Sequence, residues 1–184
     1  LRDGIEGIPS GFDIYIYPGN YTTFTNITSD NLIIHGVPGL EYPNITQDPS
    51  TGEDCSAFYL WYVNNITFRH IHFEEAIYAA IISRGGLLHT VEDCYFVSQE
   101  YGIRIYGTDN ITVRNSVFDD LNAAAIDLNT LNYSSIVDNR INKICQGIYM
   151  NEVWLSTIRG NNITYTGSTW PSCSAISLHK AFNN

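Results

Sequence analysis

The 184-residue chain is short of positive charge and of long apolar runs. It contains only two lysines, and its formal net charge is −10. Nucleic-acid binding depends on clustered Lys and Arg side chains, so we expect no nucleic-acid partner. No stretch reaches the roughly 18 consecutive apolar residues that a membrane-spanning helix needs, so we expect no membrane insertion. Leu and Ala do not dominate, whereas Ile, Tyr, Thr, Asn and Gly are abundant, which favours strands joined by tight turns.

The sequence repeats one phrase every 22 or 23 residues. Asn65-Ile-Thr-Phe-Arg returns as Asn110-Ile-Thr-Val-Arg, and related phrases lie between and after these two. The hydroxyl residue of each phrase keeps the step, at Thr67, Thr90, Thr112, Ser135 and Thr157. Periods in the low twenties are typical of stacked solenoids. A repeat of this length has room for three short strands with their turns and none for a helix.

We therefore predict an all-β fold, a right-handed parallel β-helix of about seven rungs that forms one domain over residues 1–184. Apolar residues at equivalent positions predict interior stacks, among them one from Phe68 to Val91 and another from Phe73 to Phe96. Three segments depart from the repeat. We predict a partial N-terminal cap at 1–12, a long inserted loop at 38–54 and a small insertion in the last rung at 167–172.

The four cysteines can be assigned by their place in the repeat. Cys145 and Cys173 each stand two residues before a small corner residue, in successive rungs. Stacked equivalents lie about 5 Å apart, which is inside disulfide range, so we predict a bridge between them. Cys55 is in the same column but four rungs away, and Cys94 is predicted to be a buried free thiol. One bridge favours an oxidising compartment.

Asn-x-Ser/Thr sequons are frequent in this chain. They begin at Asn20, Asn26, Asn44, Asn65, Asn110, Asn132 and Asn162. Two interpretations remain open. In the first, the sequons follow from the fold alone, because a repeat with Asn at its turns and Thr on its strand exteriors produces the sequence Asn-Ile-Thr. In the second, several of these sites carry covalent N-glycans. With the acidic, lysine-poor composition, the sequons favour a secreted protein that is extracellular or at the cell surface.

The repeats, together with the opening phrase Ile14-Tyr-Ile-Tyr-Pro-Gly-Asn-Tyr, resemble the pectin-lyase-like superfamily, a group often described as carbohydrate-binding and sugar-hydrolysing. The resemblance covers about residues 12–180 and implies a parallel β-helix. Its motifs specify the fold rather than an activity. In lyases of this superfamily an arginine abstracts a proton and carboxylates hold calcium, whereas in its glycosidases several aspartates act as acid and base.

The outward positions of one strand per rung predict a ligand-binding face. Arg104 and Asp127 are its only charged pair on adjacent rungs, and they are the candidate catalytic residues. The alternative is a ladder salt bridge on an ordinary exterior. Aromatic rings stack on sugars and arginines bind uronate carboxylates through two hydrogen bonds, which makes their neighbours candidates for ligand binding. These are Tyr59, Trp61, Arg84, Tyr106, Asn129, Tyr149, Asn151 and His179.

No metal site is predicted. His70 and His72 alternate on one strand, with His35 and Asp93 on neighbouring rungs, but a zinc-like site needs a third firm ligand. Three acids do not converge on one face, as calcium would require, so calcium is expected only if the protein is a lyase. No other cofactor is expected. The NTD, GHG and RIK phrases of polygalacturonases are absent.

Three classes of function remain open. In the first, the protein is an extracellular structural or adhesive glycoprotein module whose exposed end edges join copies head to tail into a filament. In the second, it is a polysaccharide lyase or glycoside hydrolase that acts through Arg104 and Asp127. In the third, it is a non-catalytic carbohydrate-binding module. The expected partners are a carbohydrate polymer, covalent N-glycans or further copies of the chain.

Overall fold

The fold is known from a computed structural model, which describes residues 1–48, 56–76, 78–164 and 173–180. A one-turn helix, α1 (Arg2–Ile5), precedes seven coils of three strands each. The first coils contain β1 (Asp13–Ile16), β2 (Asn20–Thr23), β3 (Thr25–Ile27), β4 (Leu32–Gly36), β5 (Asn44–Gln47), β6 (Ser56–Trp61), β7 (Ile66–Arg69), β8 (His72–Glu74) and β9 (Ala79–Arg84). The remaining coils contain β10 (Thr90–Glu92), β11 (Tyr95–Val97), β12 (Tyr101–Tyr106), β13 (Thr112–Arg114), β14 (Val117–Asp119), β15 (Ala124–Asn132), β16 (Ser135–Val137), β17 (Arg140–Asn142), β18 (Gln146–Trp154), β19 (Thr157–Arg159), β20 (Asn162–Thr164) and β21 (Ser174–His179).

Each coil contributes one strand to each of three seven-stranded parallel sheets. Sheet A runs in the order β1-β4-β7-β10-β13-β16-β19, sheet B in the order β2-β5-β8-β11-β14-β17-β20, and sheet C in the order β3-β6-β9-β12-β15-β18-β21. Every strand between the first and the last coil therefore pairs with its equivalents in the coils before and after it. The predicted parallel β-helix, with its rung count, is confirmed.

The core consists of ladders of like residues. Phe68 lies in register with Val91 on sheet A, and Phe73, Phe96 and Phe118 are in register on sheet B. The rings of Phe73 and Phe96 stack 4.9 Å apart, and those of Phe96 and Phe118 stack 4.6 Å apart. All five side chains are buried, so the ladders remove a continuous apolar column from water. The predicted interior stacks are confirmed.

Some asparagines lie at corners of the coils where the backbone is left-handed. Asn65, Asn110 and Asn115 all have positive φ, at 54°, 57° and 53°. This left-handed conformation is unfavourable for most side chains, and Asn tolerates it because its short amide can hydrogen-bond locally. Two of the seven sequons, those of Asn65 and Asn110, therefore begin at a turn position that favours asparagine, although Leu88 and Tyr133 occupy the equivalent position in other coils.

A second set of corner residues satisfies buried backbone groups. The Ile66 N–H donates to His89 Nδ1 at 3.2 Å, the Cys94 N–H to Ser116 Oγ at 3.2 Å, and the Ser116 N–H to Asn139 Oδ1 at 3.0 Å. In each case a buried side chain accepts a hydrogen bond from the coil before it. Unpaired buried N–H groups are costly, so these contacts hold the corners in register.

The segment 38–54 is not one loop. Residues 44–47 form β5, which pairs in parallel with β2 and β8, and Ile45 and Gln47 are buried. The prediction of an inserted loop is wrong at these four residues, because their alternation of inward and outward side chains outweighs the Pro- and Gly-rich composition around them. Residues 49–54 of this segment, and the predicted insertion at 167–172, lie outside the described residues.

The N-terminal segment packs on the first coil. Ile5 of α1 is buried, and Leu1 and Ile8 pack against the core. The carboxylate of Glu6 accepts a hydrogen bond from the Asn26 N–H at 3.1 Å. Among the described residues, no helix is long and apolar enough to cross a membrane.

The structure contains the predicted disulfide between Cys145 and Cys173, whose Cα atoms lie 4.5 Å apart. It ties β18 to the start of β21. Cys94 is free and buried, as predicted, and burial raises the pKa of its thiol to about 12. Cys55 lies outside the described residues.

Candidate functional site

The strand register gathers all ten predicted site residues on the outer surface of sheet C, which we call the sheet C face. One column contains Tyr59, Ile82, Arg104, Asp127 and Tyr149. The parallel column contains Trp61, Arg84, Tyr106, Asn129, Asn151 and His179. Because successive rungs lie about 4.8 Å apart, neighbours in a column are within side-chain reach of each other.

Arg104 and Asp127 form a closed ion pair. Arg104 Nε donates to Asp127 Oδ2 at 2.8 Å, and Asn129 Nδ2 donates to Asp127 Oδ1 at 2.6 Å. Each carboxylate oxygen therefore accepts one hydrogen bond. Burial raises the pKa of Asp127, and the Arg104 charge and the two hydrogen bonds oppose that shift. The pair matches the salt-bridge alternative, except that Asp127 is buried rather than on an open exterior.

Three tyrosines surround the Arg104 guanidinium. Its Cζ lies 4.3 Å from the ring centroid of Tyr101, and 5.2 Å from those of Tyr78 and Tyr106. Cation–π attraction and the Asp127 hydrogen bond both hold the side chain in place. Burial raises the pKa of Tyr101 to about 12, so it stays protonated.

Sequence reasoning missed Tyr78 and Tyr101. Neither residue is in the two outward columns, since Tyr101 begins β12 and Tyr78 precedes β9. Their rings nevertheless lie 5.3 Å apart, because both side chains lie beside the same corner in successive coils. A spacing of 23 residues between them was the available signal.

An aromatic platform occupies the N-terminal part of the sheet C face. The rings of Tyr59 and Trp61 stack 5.8 Å apart, and Tyr62 meets Trp61 edge-on at 5.5 Å. Trp61 is 54% exposed and Tyr62 is 69% exposed, although aromatic rings are usually covered. Gly85 makes room for this arrangement, because a Cβ at this position would lie 2.5 Å from Tyr62 Cδ1.

A cavity of about 610 Å³ adjoins the platform, a volume within the range of small-molecule sites. The platform lines one side of it and polar residues of the preceding coil line the other. These polar residues are Ser10, Asn26, Thr28, Ser29 and Asp30. The Asp30 carboxylate is partly committed, since it accepts hydrogen bonds from the backbone and side chain of Asn64.

Arg84 is the available cation of the sheet C face. It is exposed, it lies in register with Trp61, and its Cζ is 5.4 Å from the Tyr106 ring centroid. It makes no ion pair with any residue in the described part of the chain. Its planar guanidinium therefore retains donors for an external carboxylate or sulfate.

The histidines do not assemble a metal centre. His70 Nε2 lies 3.8 Å from Asp93 Oδ2, His35 packs against the Tyr15 ring at 4.0 Å, and His72 meets Tyr95 edge-on. Burial lowers the pKa of His35 and that of His72. Within the described ranges, no group of three or more His, Cys, Asp or Glu side chains converges as metal ligands do.

The sequons differ in how their amides are engaged. Asn44 Nδ2 donates to Glu74 Oε2 at 2.7 Å, Asn132 Nδ2 to Asp109 Oδ1 at 3.1 Å, and Asn65 Nδ2 to Asn31 Oδ1 at 3.0 Å. Asn20 and Asn162 are exposed on sheet B. The Asn26 carboxamide has no hydrogen-bond partner among the described residues.

The fold resembles that of a solved pectate lyase. A pectate lyase, Pel9A, is 14% identical with a TM-score of 0.64 over 96% of this chain and 51% of its own. A Parabacteroides merdae protein proposed to be a glycosyl hydrolase is 12% identical with a TM-score of 0.49 over 98% and 86%. The chain thus spans about half the length of the pectate lyase. At these identities the likeness extends to the fold alone.

Sequence comparison gives a family. No curated protein sequence matches the chain. Residues 10–184 match the family described as periplasmic copper-binding protein (NosD). Since the match covers nearly the whole β-helix, the protein belongs to this NosD family.

Proposed function

We propose that this protein is a non-catalytic carbohydrate-binding β-helix that binds an acidic polysaccharide on the sheet C face. The observation that carries the proposal is the exposed Tyr59–Trp61 platform beside the unpaired Arg84, next to a cavity of about 610 Å³. The protein has a net charge of −10, so an anion is attracted by this local cation rather than by the overall field.

The chemistry of the platform suits a sugar. The apolar face of a sugar ring stacks on the exposed indole of Trp61, and Arg84, one rung away, donates two hydrogen bonds to a carboxylate or sulfate on the same or the next sugar. Asn129 and Tyr106 continue the face toward the later coils. A polymer lying across the rungs thus meets alternating apolar and polar groups.

Catalysis is the weaker candidate, because the predicted pair is already committed. Arg104 donates to Asp127 and is surrounded by tyrosines, and both oxygens of Asp127 accept hydrogen bonds. A base or nucleophile needs a free atom within reach of the substrate. We therefore assign the Arg104–Asp127 pair to holding the face in shape and derive no catalytic step through it.

Copper, which the family's description names, does not fit the residues described. Copper favours thiolate, thioether and imidazole ligands. The Cys94 thiol is buried and donates to the Glu92 carbonyl, Met150 is fully buried in the core, and His89 Nδ1 accepts the Ile66 N–H. With no convergent set of three ligand side chains in the described ranges, no step is derived through this metal.

Two observations support a location outside the cytoplasm. The family is described as periplasmic, and the Cys145–Cys173 disulfide persists best in an oxidising compartment. A periplasmic or cell-surface protein would meet polysaccharides directly.

A structural module that joins copies end to end is the second candidate. Ile176 and Leu178 continue the interior columns of sheet C, yet they are 43% and 50% exposed in the last described strand. A further rung stacked on β21, from a second copy, would cover them. Analytical ultracentrifugation tests this idea. Concentration-dependent assembly that Leu178→Lys abolishes would support it, and a monomer at all concentrations would oppose it.

Isothermal titration calorimetry with defined oligosaccharides tests the main proposal. We expect binding of oligogalacturonate or oligoalginate, weakened about tenfold or more in Trp61→Ala. Tyr17→Ala is the matched control, since Tyr17 is an equally exposed aromatic residue away from sheet C and its loss should leave affinity unchanged. Failure of the wild-type protein to bind any acidic or neutral oligosaccharide would contradict the proposal.

A further inference from the structure

One sequon opens into the proposed binding site. Asn26-Ile27-Thr28 begins in β3, where Asn26 lies in register with Tyr59 of the platform. Both Asn26 and Thr28 line the cavity that adjoins Trp61. No other sequon contributes to the lining of this cavity. The attachment site for a sugar and the proposed site for a polysaccharide therefore share one space.

Asn26 is also well suited to modification. The amides of Asn44, Asn65 and Asn132 donate to other side chains, whereas the half-buried Asn26 carboxamide has no hydrogen-bond partner among the described residues. The carboxamides of Asn20, Asn110 and Asn162 also have none, but these residues do not line the cavity. Thr28, the hydroxyl residue of the sequon, is exposed. A glycan on Asn26 therefore breaks no contact of the described fold.

We propose that Asn26 carries an N-linked glycan whose first sugar residue occupies the cavity against Tyr59 and Trp61, so that glycosylation masks the protein's own binding site. The proposal rests on the function proposed above. Under this proposal, the sheet C face binds a polysaccharide only on chains that lack a glycan at Asn26.

Attachment of the glycan needs one co-reactant, a lipid-linked glycosyl pyrophosphate. A glycosyltransferase joins Asn26 Nδ2 to C1 of the first sugar, the bond from C1 to the pyrophosphate breaks, and the amide proton is lost to a base of the transferase. The amide keeps one N–H. Nothing is oxidised or reduced.

The register explains why the first sugar reaches the platform. Adjacent rungs are about 4.8 Å apart, so a ring bonded to Asn26 Nδ2 lies beside Tyr59 in the next coil. The cavity of about 610 Å³ has a size typical of small-molecule sites, and in this proposal the attached sugar and the polysaccharide stack on the same rings of Tyr59 and Trp61. The two therefore compete, with the covalent sugar at high effective concentration.

The experiment compares glycoforms of the full chain made in a secretory host that glycosylates sequons. Glycans are trimmed to a single N-acetylglucosamine, and peptide mapping locates them. We expect the Asn26 peptide to be modified, and the trimmed wild-type protein to bind oligogalacturonate about tenfold or more weakly than Asn26→Gln. Asn162→Gln, which removes a sequon on sheet B, should bind as weakly as the wild type. An unmodified Asn26 peptide, or equal affinity of wild type and Asn26→Gln, would overturn the proposal.

A measurement without polysaccharide separates this proposal from the proposed function. If Asn26→Gln binds no oligosaccharide, the proposed function fails, and acrylamide quenching of tryptophan fluorescence still decides on the attached sugar. The trimmed wild-type protein should be quenched less than Asn26→Gln, and this difference should vanish in a Trp61→Phe background. Equal quenching of the two glycoforms would show that the sugar lies elsewhere.

Discussion

Two faces of the same β-helix each contain arginine–carboxylate ion pairs, and we propose only one of these faces as a binding site. On sheet A, the buried Glu92 pairs with Arg69 in the coil before and with Arg114 in the coil after. The hydroxyl column of Thr67, Thr90 and Thr112 runs beside these pairs. On sheet C, Arg104 pairs with Asp127, but Trp61 and Arg84 beside them have no such partners.

The difference teaches that paired charges alone do not mark function in a solenoid. Strict register brings any two outward charges in successive rungs to within reach, so ladders such as Arg69–Glu92–Arg114 arise as part of the fold. A ligand-binding site is indicated instead by charged or aromatic side chains that have no partner within the ladder. Sheet C places the unpaired Arg84 in register with the exposed ring of Trp61. On sheet A, the exposed ring of Tyr15 and Arg159, which makes no ion pair among the described residues, lie at opposite ends of the column that contains the ladder.

The largest effect is expected from a substitution in the buried core that supports both faces. Phe96→Ala deletes the middle ring of the Phe73–Phe96–Phe118 stack and should lower the free energy of unfolding by about 4 kcal/mol, because a fully buried ring leaves a cavity. Urea denaturation measures the change. Tyr17→Ala, at an exposed ring, should change it by less than about 0.5 kcal/mol. A loss below about 1 kcal/mol for Phe96→Ala would contradict the stacked core.

The next prediction separates the two ladders. Glu92→Ala leaves Arg69 and Arg114 facing each other without their shared carboxylate, and should cost about 3 kcal/mol of stability. Affinity for oligogalacturonate should stay unchanged, since sheet A lies on another side of the coil. Denaturation and calorimetry on one preparation check both statements. Weakened binding in a folded Glu92→Ala protein would mean that the sheet A face also contributes to recognition.

A pH effect is expected at the corner between sheets C and A. Burial lowers the pKa of His89 from 6.5 to about 4, so the native state keeps it neutral while the unfolded chain takes up a proton near pH 6.5. The contribution of the neutral His89 to the free energy of unfolding is therefore fully present above about pH 6.5. It is lost as the pH drops toward 4, by about 2–3 kcal/mol.

The control for this prediction is His89→Asn. Asparagine retains an acceptor for the Ile66 N–H, as Asn139 does for Ser116, but does not titrate. Melting temperatures measured from pH 7 to pH 4 should therefore fall less steeply in the variant than in the wild type. Parallel curves for the two proteins would show that His89 is not the group responsible.

The smallest effect concerns the shape of the platform. Gly85 has a φ of +74°, and an added Cβ would meet the Tyr62 ring, so Gly85→Ala should displace that ring and cost about 1 kcal/mol of stability. Affinity for oligosaccharide should fall about threefold, because Tyr62 supports Trp61 edge-on. Gly107→Ala is the control, since Gly107 has a φ of +60° and an added Cβ there meets nothing. Equal affinities of the two variants would exclude a role for Gly85 in positioning the platform.

The repeat predicted the fold because its register is strict. A step of 23 residues places Arg104 beside Asp127. Cys145 and Cys173 are 28 residues apart, and their shared position two residues before a small corner residue places them side by side. The structure contains both pairs. Contacts that depend on the direction of a side chain could not be predicted from the spacing of the repeat. The tyrosines around Arg104 reach it from a corner, and the His89 acceptor points inward to a backbone group, so neither follows from a column of outward positions.

The central claim is that Arg84 recognises an anionic sugar because it lies beside the aromatic platform, and that overall charge or another exposed arginine does not. Calorimetric titration of oligogalacturonate into Arg84→Gln and Arg159→Gln tests it most directly, since Arg159 is an exposed arginine on sheet A. The account predicts about tenfold or greater loss of affinity for Arg84→Gln and no change for Arg159→Gln. Equal affinity of both variants and the wild type would contradict it.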